Sequence, residues 1–241
     1  MLRTPPLVTV VALPGTGSDA DFAARAFGPA ARAHGLALHA VEPDPQAVIS
    51  SCTAALDAAA ARGPVLAAGI SLGAAIALDW AARHRTAVVG VITALPAWTG
   101  AETAHCPAAL SASVTAQLLR AHGLEAMIAQ MRASSPLWLA DALEQSWRGQ
   151  WPHLPAALDE AAGYAWPSVE ALADIDVPVA VVGATDDPVH PIAVAEQWAS
   201  TLPVAGLRRV TLDELGADPA VLGHAGFAEL TRLSTSFAGH K

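Results

Sequence analysis

A serine stands at the centre of Gly69-Ile70-Ser71-Leu72-Gly73, between the apolar run Pro64–Ala68 and a stretch of small residues, Ala74–Ala82. That pattern predicts strand, sharp turn, helix, with the hydroxyl at the apex. Such a turn holds Ser71 in a strained conformation and leaves room only for glycine at its flanks. G-x-S-x-G is common as a bare pattern, and its placement between a buried strand and a helix is what gives it weight. A hydroxyl is a poor nucleophile near neutral pH. It needs an imidazole to take its proton and a carboxylate to orient the ring and balance its charge.

Two later segments offer those groups. Gly183-Ala-Thr-Asp-Asp-Pro-Val-His-Pro191 carries Asp186, Asp187 and His190, and Leu222-Gly-His-Ala-Gly-Phe227 carries His224. His190 lies three residues from Asp187, so one short segment would have to supply both acid and base. His224 arrives on a separate segment and is the expected base. Asp187 and Asp186 are both candidates for the acid, and the unused one caps a turn. The order serine, aspartate, histidine suits groups placed on successive strand ends of a parallel sheet. The oxyanion of acyl transfer requires two preset N–H donors, and Leu72, directly after the nucleophile, supplies one. The other histidines show no metal-ligand spacing, so neither a metal nor a cofactor is expected.

The elements that must position these groups alternate from the start. Strands are predicted at Leu7–Leu13, Leu36–Val41, the run before Ser71, Ala87–Thr93, Val177–Val182 and Leu207–Leu212. Helices fill the intervals at 19–34, 45–62, 72–84 and 191–201, and a last helix spans 226–237. Near-continuous apolar strands separated by helices imply a parallel sheet covered on both faces. Between 96 and 176 no strand is predicted, only helices near 108–122, 124–133, 136–148 and 155–163. The domain reading is therefore a core of 1–95 and 177–241 with a helical cap at 96–176.

Composition narrows the function classes. The chain has 241 residues, 53% hydrophobic and 15% charged, enough to bury a full core. A net charge of −9 with 13 scattered Lys and Arg disfavours nucleic acid. Apolar stretches are broken before a membrane span is reached, so no membrane partner is expected. Cys52 and Cys106 have no metal-type spacing and read as free thiols. Met1–Pro6 shows no leader features, and a cytoplasmic location is expected.

Taken together, the elbow at 69–73, the acid loop at 183–191, Gly223-His224 and the first-strand loop Leu13–Asp19 resemble an α/β-hydrolase. The resemblance covers the chain except 96–176, where that family places a variable cap. It implies a sheet of about six strands without the usual N-terminal hairpin. It favours Asp187 as the acid, four residues before Pro191. It also implies a second oxyanion donor, the N–H of Thr16, in Pro14-Gly-Thr-Gly-Ser18; Pro14 stands where many relatives carry histidine. A plain glycine-rich turn is the rival reading of that loop. A phosphate loop is disfavoured because no Gly-Lys-Ser/Thr follows.

Five of the seven tryptophans lie in 96–176. Trp98 and Trp138 are expected at an apolar substrate pocket under the cap. The scarcity of cations there (chiefly Arg120, Arg132 and Arg148) argues against a polyanionic substrate. The expected activity is hydrolysis of a small, largely uncharged ester or lactone through an acyl-enzyme on Ser71. The alternatives are carbon–carbon hydrolysis of a β-diketone-type substrate, a thioesterase, and a ligand-binding or sensor protein. A homodimer is compatible with the altered sheet edge.

Overall fold

The computed structural model describes residues 8–238, so the predicted strand start at Leu7 and the stretch Met1–Pro6 lie outside the described residues. In chain order the elements are β1 (Thr9–Leu13), α1 (Ala20–Ala33), β2 (Ala37–Ala40), α2 (Val48–Ala60), β3 (Val65–Ile70), α3 (Leu72–Arg83) and β4 (Val88–Ala94). There follow α4 (Pro107–Ser134), α5 (Leu137–Gln150), α6 (Leu154–Ala162) and α7 (Val169–Ala173). The chain closes with β5 (Val179–Ala184), α8 (Ile192–Thr201), β6 (Ala205–Val210), α9 (Leu212–Ala217) and α10 (Ala220–Ala238).

All six strands run parallel in the order β2-β1-β3-β4-β5-β6. β3 and β5 are buried along their whole length, as expected for strands covered on both faces. One face packs against α2, α3 and α8 around Leu56, Ile76, Trp80 and Trp198. The other packs against α1 and α10 around Phe22, Phe27, Leu222 and Phe227. The chain reverses its direction across the sheet between β1 and β3, where Leu13 pairs with Gly69. Crevices for ligands open at such a switch point, beyond the carboxyl ends of the strands. The edge strand β6 carries exposed Arg208 and Arg209, charges that discourage further strand pairing.

Between β4 and β5 the regular structure is entirely helical, with its own buried cluster around Leu119, Met131, Trp147, Leu154 and Leu158. α4 is broken where Gly123 takes φ 79° and ψ 170°. That residue separates the two helices predicted at 108–122 and 124–133. No helix is long and apolar enough to cross a membrane among the described residues.

The closing region departs from expectation. Gly223 and His224 are expected in a loop ahead of a helix starting at Gly226, yet α10 encloses all three. Those glycines serve packing. A Cβ on Gly223 would come within 2.4 Å of the Ala26 carbonyl oxygen on α1, and one on Gly226 within 2.4 Å of Ile92 Cγ2 on β4. α10 lies so close to its neighbours that its buried face admits no side chain at either position.

Candidate active site

Ser71 follows β3 and takes φ 51°, ψ −115°, a left-handed-side conformation that costs a serine about 1–3 kcal/mol and persists only where surroundings impose it. They impose it here. Its N–H is held by the Ala94 carbonyl at 2.8 Å, and α3 begins at the next residue. A Cβ on Gly69 would sit 2.1 Å from the Gly73 carbonyl carbon, and one on Gly73 would sit 2.5 Å from the Pro14 oxygen. Both glycines are therefore compulsory. The N–H groups of Leu72 and Gly73 lie in the first turn of α3, where amides have no partner within their own helix.

The imidazole that meets Ser71 belongs to His190. Its Nε2 lies 3.0 Å from Ser71 Oγ, and its Nδ1 lies 2.7 Å from Asp187 Oδ2. A carboxylate only accepts, so Nδ1 carries the proton and Nε2 is left to accept from the serine hydroxyl. The other oxygen of Asp187 accepts the backbone N–H groups of Val189 at 2.8 Å and His190 at 3.2 Å. This tight turn answers the objection that one short segment cannot carry both groups. By curling the chain around its own carboxylate, Asp187 brings the ring three residues on back to the same group. Burial raises the Asp187 pKa, but the hydrogen bond and charge of His190, with the two backbone donors, outweigh it and hold the carboxyl below the usual range.

The expectation of His224 as the base is corrected. Its side chain is exposed on α10, in a helix whose buried face is committed to α1 and β4. Asp186 accepts the N–H of Leu212 at 2.8 Å and so ties the loop to the start of α9, while the turn cap expected of the second aspartate is made by Asp187 itself. The signal that could have found His190 was the Asp-x-x-His spacing itself, with Pro188 inside it and Pro191 directly after it.

The loop after β1 lies directly against the serine. A Cβ on Gly15 would be 3.5 Å from Ser71 Cβ, and the Ser18 N–H closes a turn onto the Gly15 carbonyl at 3.1 Å. Thr16 sits at the crest of that turn. A cleft of about 480 Å³ borders the relay at Pro191, though Ser71, Asp187 and His190 are not in its lining; Ala97, Trp98, Val169 and Val194 form its apolar part and His105, Glu170 and Gln197 its polar part. Trp98 packs against Trp166 with ring centres 4.1 Å apart and the planes tilted by 31°. Trp138 is not among the residues lining this cleft. It covers Gly216 of α9, whose added Cβ would meet Trp138 Nε1 at 2.4 Å. Arg120, Arg132 and Arg148 each pair with carboxylates inside the helical insertion. Cys52 is buried and its thiol is pushed up to about 12, so it stays protonated near neutral pH. No cluster of His, Cys, Asp or Glu with metal-ligating arrangement occurs among the described residues.

Comparison with known proteins bears on the family and the fold. The family model for serine aminopeptidase, S33, matches residues 27–216. Comparison with curated sequences finds no match. Among solved structures, BpoC of Mycobacterium tuberculosis H37Rv, described as a non-heme bromoperoxidase, is similar at TM-score 0.69 and 18% identity, covering 94% of this chain and 92% of that one. A thermophilic esterase from Thermogutta terrifontis is similar at TM-score 0.68 and 16% identity, with coverages of 95% and 91%. The enol-lactonase of Burkholderia xenovorans LB400 is similar at TM-score 0.63 and 16% identity, with coverages of 87% and 85%. At these identities the structures share the fold.

Proposed function

Because the chain belongs to the serine aminopeptidase S33 family of α/β-hydrolases, we propose that it is a serine hydrolase in which Ser71 is the nucleophile, His190 the general base and Asp187 the carboxylate that steadies the ring. The observation that carries this reading is the unbroken relay from Asp187 through His190 to the serine hydroxyl. Ser71 Oγ attacks the substrate carbonyl as its proton passes to His190 Nε2. The N–H groups of Leu72 and Thr16 receive the oxyanion. The imidazolium then gives the proton to the leaving alcohol, and a water activated by the same ring releases the acid from the acyl-enzyme.

The substrate we propose is a small, largely uncharged carboxylic ester or lactone. Two observations support it. The cleft beside Pro191 sets Trp98, Val169 and Val194 among His105, Glu170 and Gln197 with no Lys or Arg in its lining, and the insertion's arginines are already committed to carboxylates, leaving none of the three to receive an anionic group. The names of the esterase and the enol-lactonase agree with that chemistry. Hydrolysis of p-nitrophenyl acetate and butyrate, with fluorophosphonate labelling of Ser71, tests the reading. A lactone, a thioester, a β-diketone and an amino-acyl p-nitroanilide serve as parallel substrates. Ester turnover should fall at least about a thousandfold in Ser71→Ala and His190→Ala, whereas His224→Ala should stay within about twofold, as for an exposed residue remote from the chemistry. Activity that survives in His190→Ala but is lost in His224→Ala would reverse the assignment of the base. A wild-type protein that neither labels nor turns over any of these substrates is a binding protein.

A further inference from the structure

The insertion helix α5 grips the turn that carries Thr16. Ser146 and Gln150 are 2% and 4% exposed, and both are polar. Burying such groups is costly unless each finds a partner. Ser146 Oγ donates to the Gly17 carbonyl at 2.7 Å. Gln150 Nε2 donates to the Ser18 carbonyl at 2.9 Å and to Ser146 Oγ at 2.9 Å. One residue farther out, Gln145 Nε2 donates to Asp19 Oδ2 at 3.0 Å, while Asp19 Oδ1 caps the first turn of α1 through the Phe22 N–H.

These bonds run in one direction. Gln150 donates to the Ser146 oxygen, so the Ser146 hydroxyl hydrogen is free for the Gly17 carbonyl. That carbonyl shares a planar peptide with the Ser18 N–H, which donates to the Gly15 carbonyl at 3.1 Å. The Gly15 carbonyl in turn shares its peptide with the Thr16 N–H. A chain of hydrogen bonds therefore ends on the Thr16 donor, and each link both orients and polarises the next. Gly17 takes φ 66°, a conformation open to glycine, so the turn has no bulky side chain of its own to fix it there.

We propose that Ser146 and Gln150 are positioning residues that aim the Thr16 N–H at the oxyanion of the reaction, which makes the insertion part of the catalytic framework as well as a roof. This rests on the serine-hydrolase reading above. Ser146→Ala removes the donor to Gly17, and Gln150→Met removes the group that orients it with little change of shape. Ser146→Thr keeps the hydroxyl. Deleting an oxyanion donor outright costs about 10²–10³ in kcat, so a donor that is present but loosely held should cost about 10- to 100-fold.

The experiment is turnover of p-nitrophenyl acetate, normalised to active sites by fluorophosphonate labelling, alongside the matching thionoester. An oxyanion donor set for oxygen distinguishes the two substrates; loss of mere packing lowers the count of active sites and leaves their rate ratio unchanged. Both Ser146→Ala and Gln150→Met should lower kcat with KM within about threefold. The ester-to-thionoester ratio should shrink in both, and Ser146→Thr should restore most of it. Labelled, folded variants whose kcat and rate ratio match wild type would overturn the assignment alone. A wild type that neither labels nor turns over overturns the hydrolase reading and this assignment with it.

Discussion

His190 reaches Ser71 because Asp187 folds the loop beneath it. One carboxylate oxygen collects the backbone donors of residues 189 and 190, and the other orients the ring. The resulting depression of the Asp187 pKa fixes the sign of a pH effect. A carboxyl whose folded pKa lies below its unfolded value contributes stability above the ordinary range, near pH 4, and loses it as the pH falls through the lowered folded value. Asp187→Asn should therefore be less stable than wild type at pH 7, and the gap should close in acid. Urea midpoints measured from pH 7 down to pH 3 check this, and a gap independent of pH would contradict it. The two proteins should also differ in kcat by about 10³–10⁴ at neutral pH, because an amide cannot hold the imidazole in the required tautomer.

At the scale of elements, glycines mark both the expected turn and the unexpected helix. Gly69 is forced by backbone contact across the elbow and Gly73 by the carbonyls of Leu13 and Pro14 at the end of β1, whereas Gly223 is forced by the Ala26 carbonyl of a neighbouring helix. Glycine to alanine inside an exposed helix ordinarily gains about 0.5–1 kcal/mol. Gly149, in α5 with open space where its Cβ would go, should follow that rule. Gly223→Ala should reverse it, since the added methyl meets backbone that cannot yield, and overpacking costs about 1–3 kcal/mol. Chemical denaturation of the two variants gives opposite shifts if α10 is packed as described. Equal gains in both would show that α10 does not press on α1.

Across the whole molecule, the insertion is fastened to the sheet-and-helix core at several places, among them Tyr164 on Asp79, Thr99 on Gln197 and two that reach backbone groups. α5 holds the loop after β1, and Glu160 on α6 accepts the N–H groups of Val48 and Ile49 at 2.8 and 3.1 Å. α2 has no capping side chain of its own at Ala47, so a carboxylate more than a hundred residues away does that work. Loss of a helix cap costs about 0.5–2 kcal/mol. Glu160→Ala should lower the unfolding free energy by that amount, read as a lower urea midpoint at unchanged slope within a single transition, because core and insertion share the contact. A separate early transition, with the main one unmoved, would mean that the insertion unfolds independently.

The alternation of apolar strands and helices, the elbow at Ser71 with Gly69 and the break at Gly123 were legible because each follows from local sterics or from the period of burial along the chain. Ser71, Asp187 and the loop of Thr16 were placed at strand ends on the same grounds. The choice between His190 and His224 was not local. It depended on an Asp187 turn that curls one histidine inward and on a helix packed so closely that its glycines mimic a loop and turn the other outward. Likewise nothing in the sequence singled out Ser146 or Gln150, and only the docking of α5 gave them buried carbonyls to hold. Periodicity encodes which face is buried; which polar groups meet across two buried faces is settled only when the elements pack.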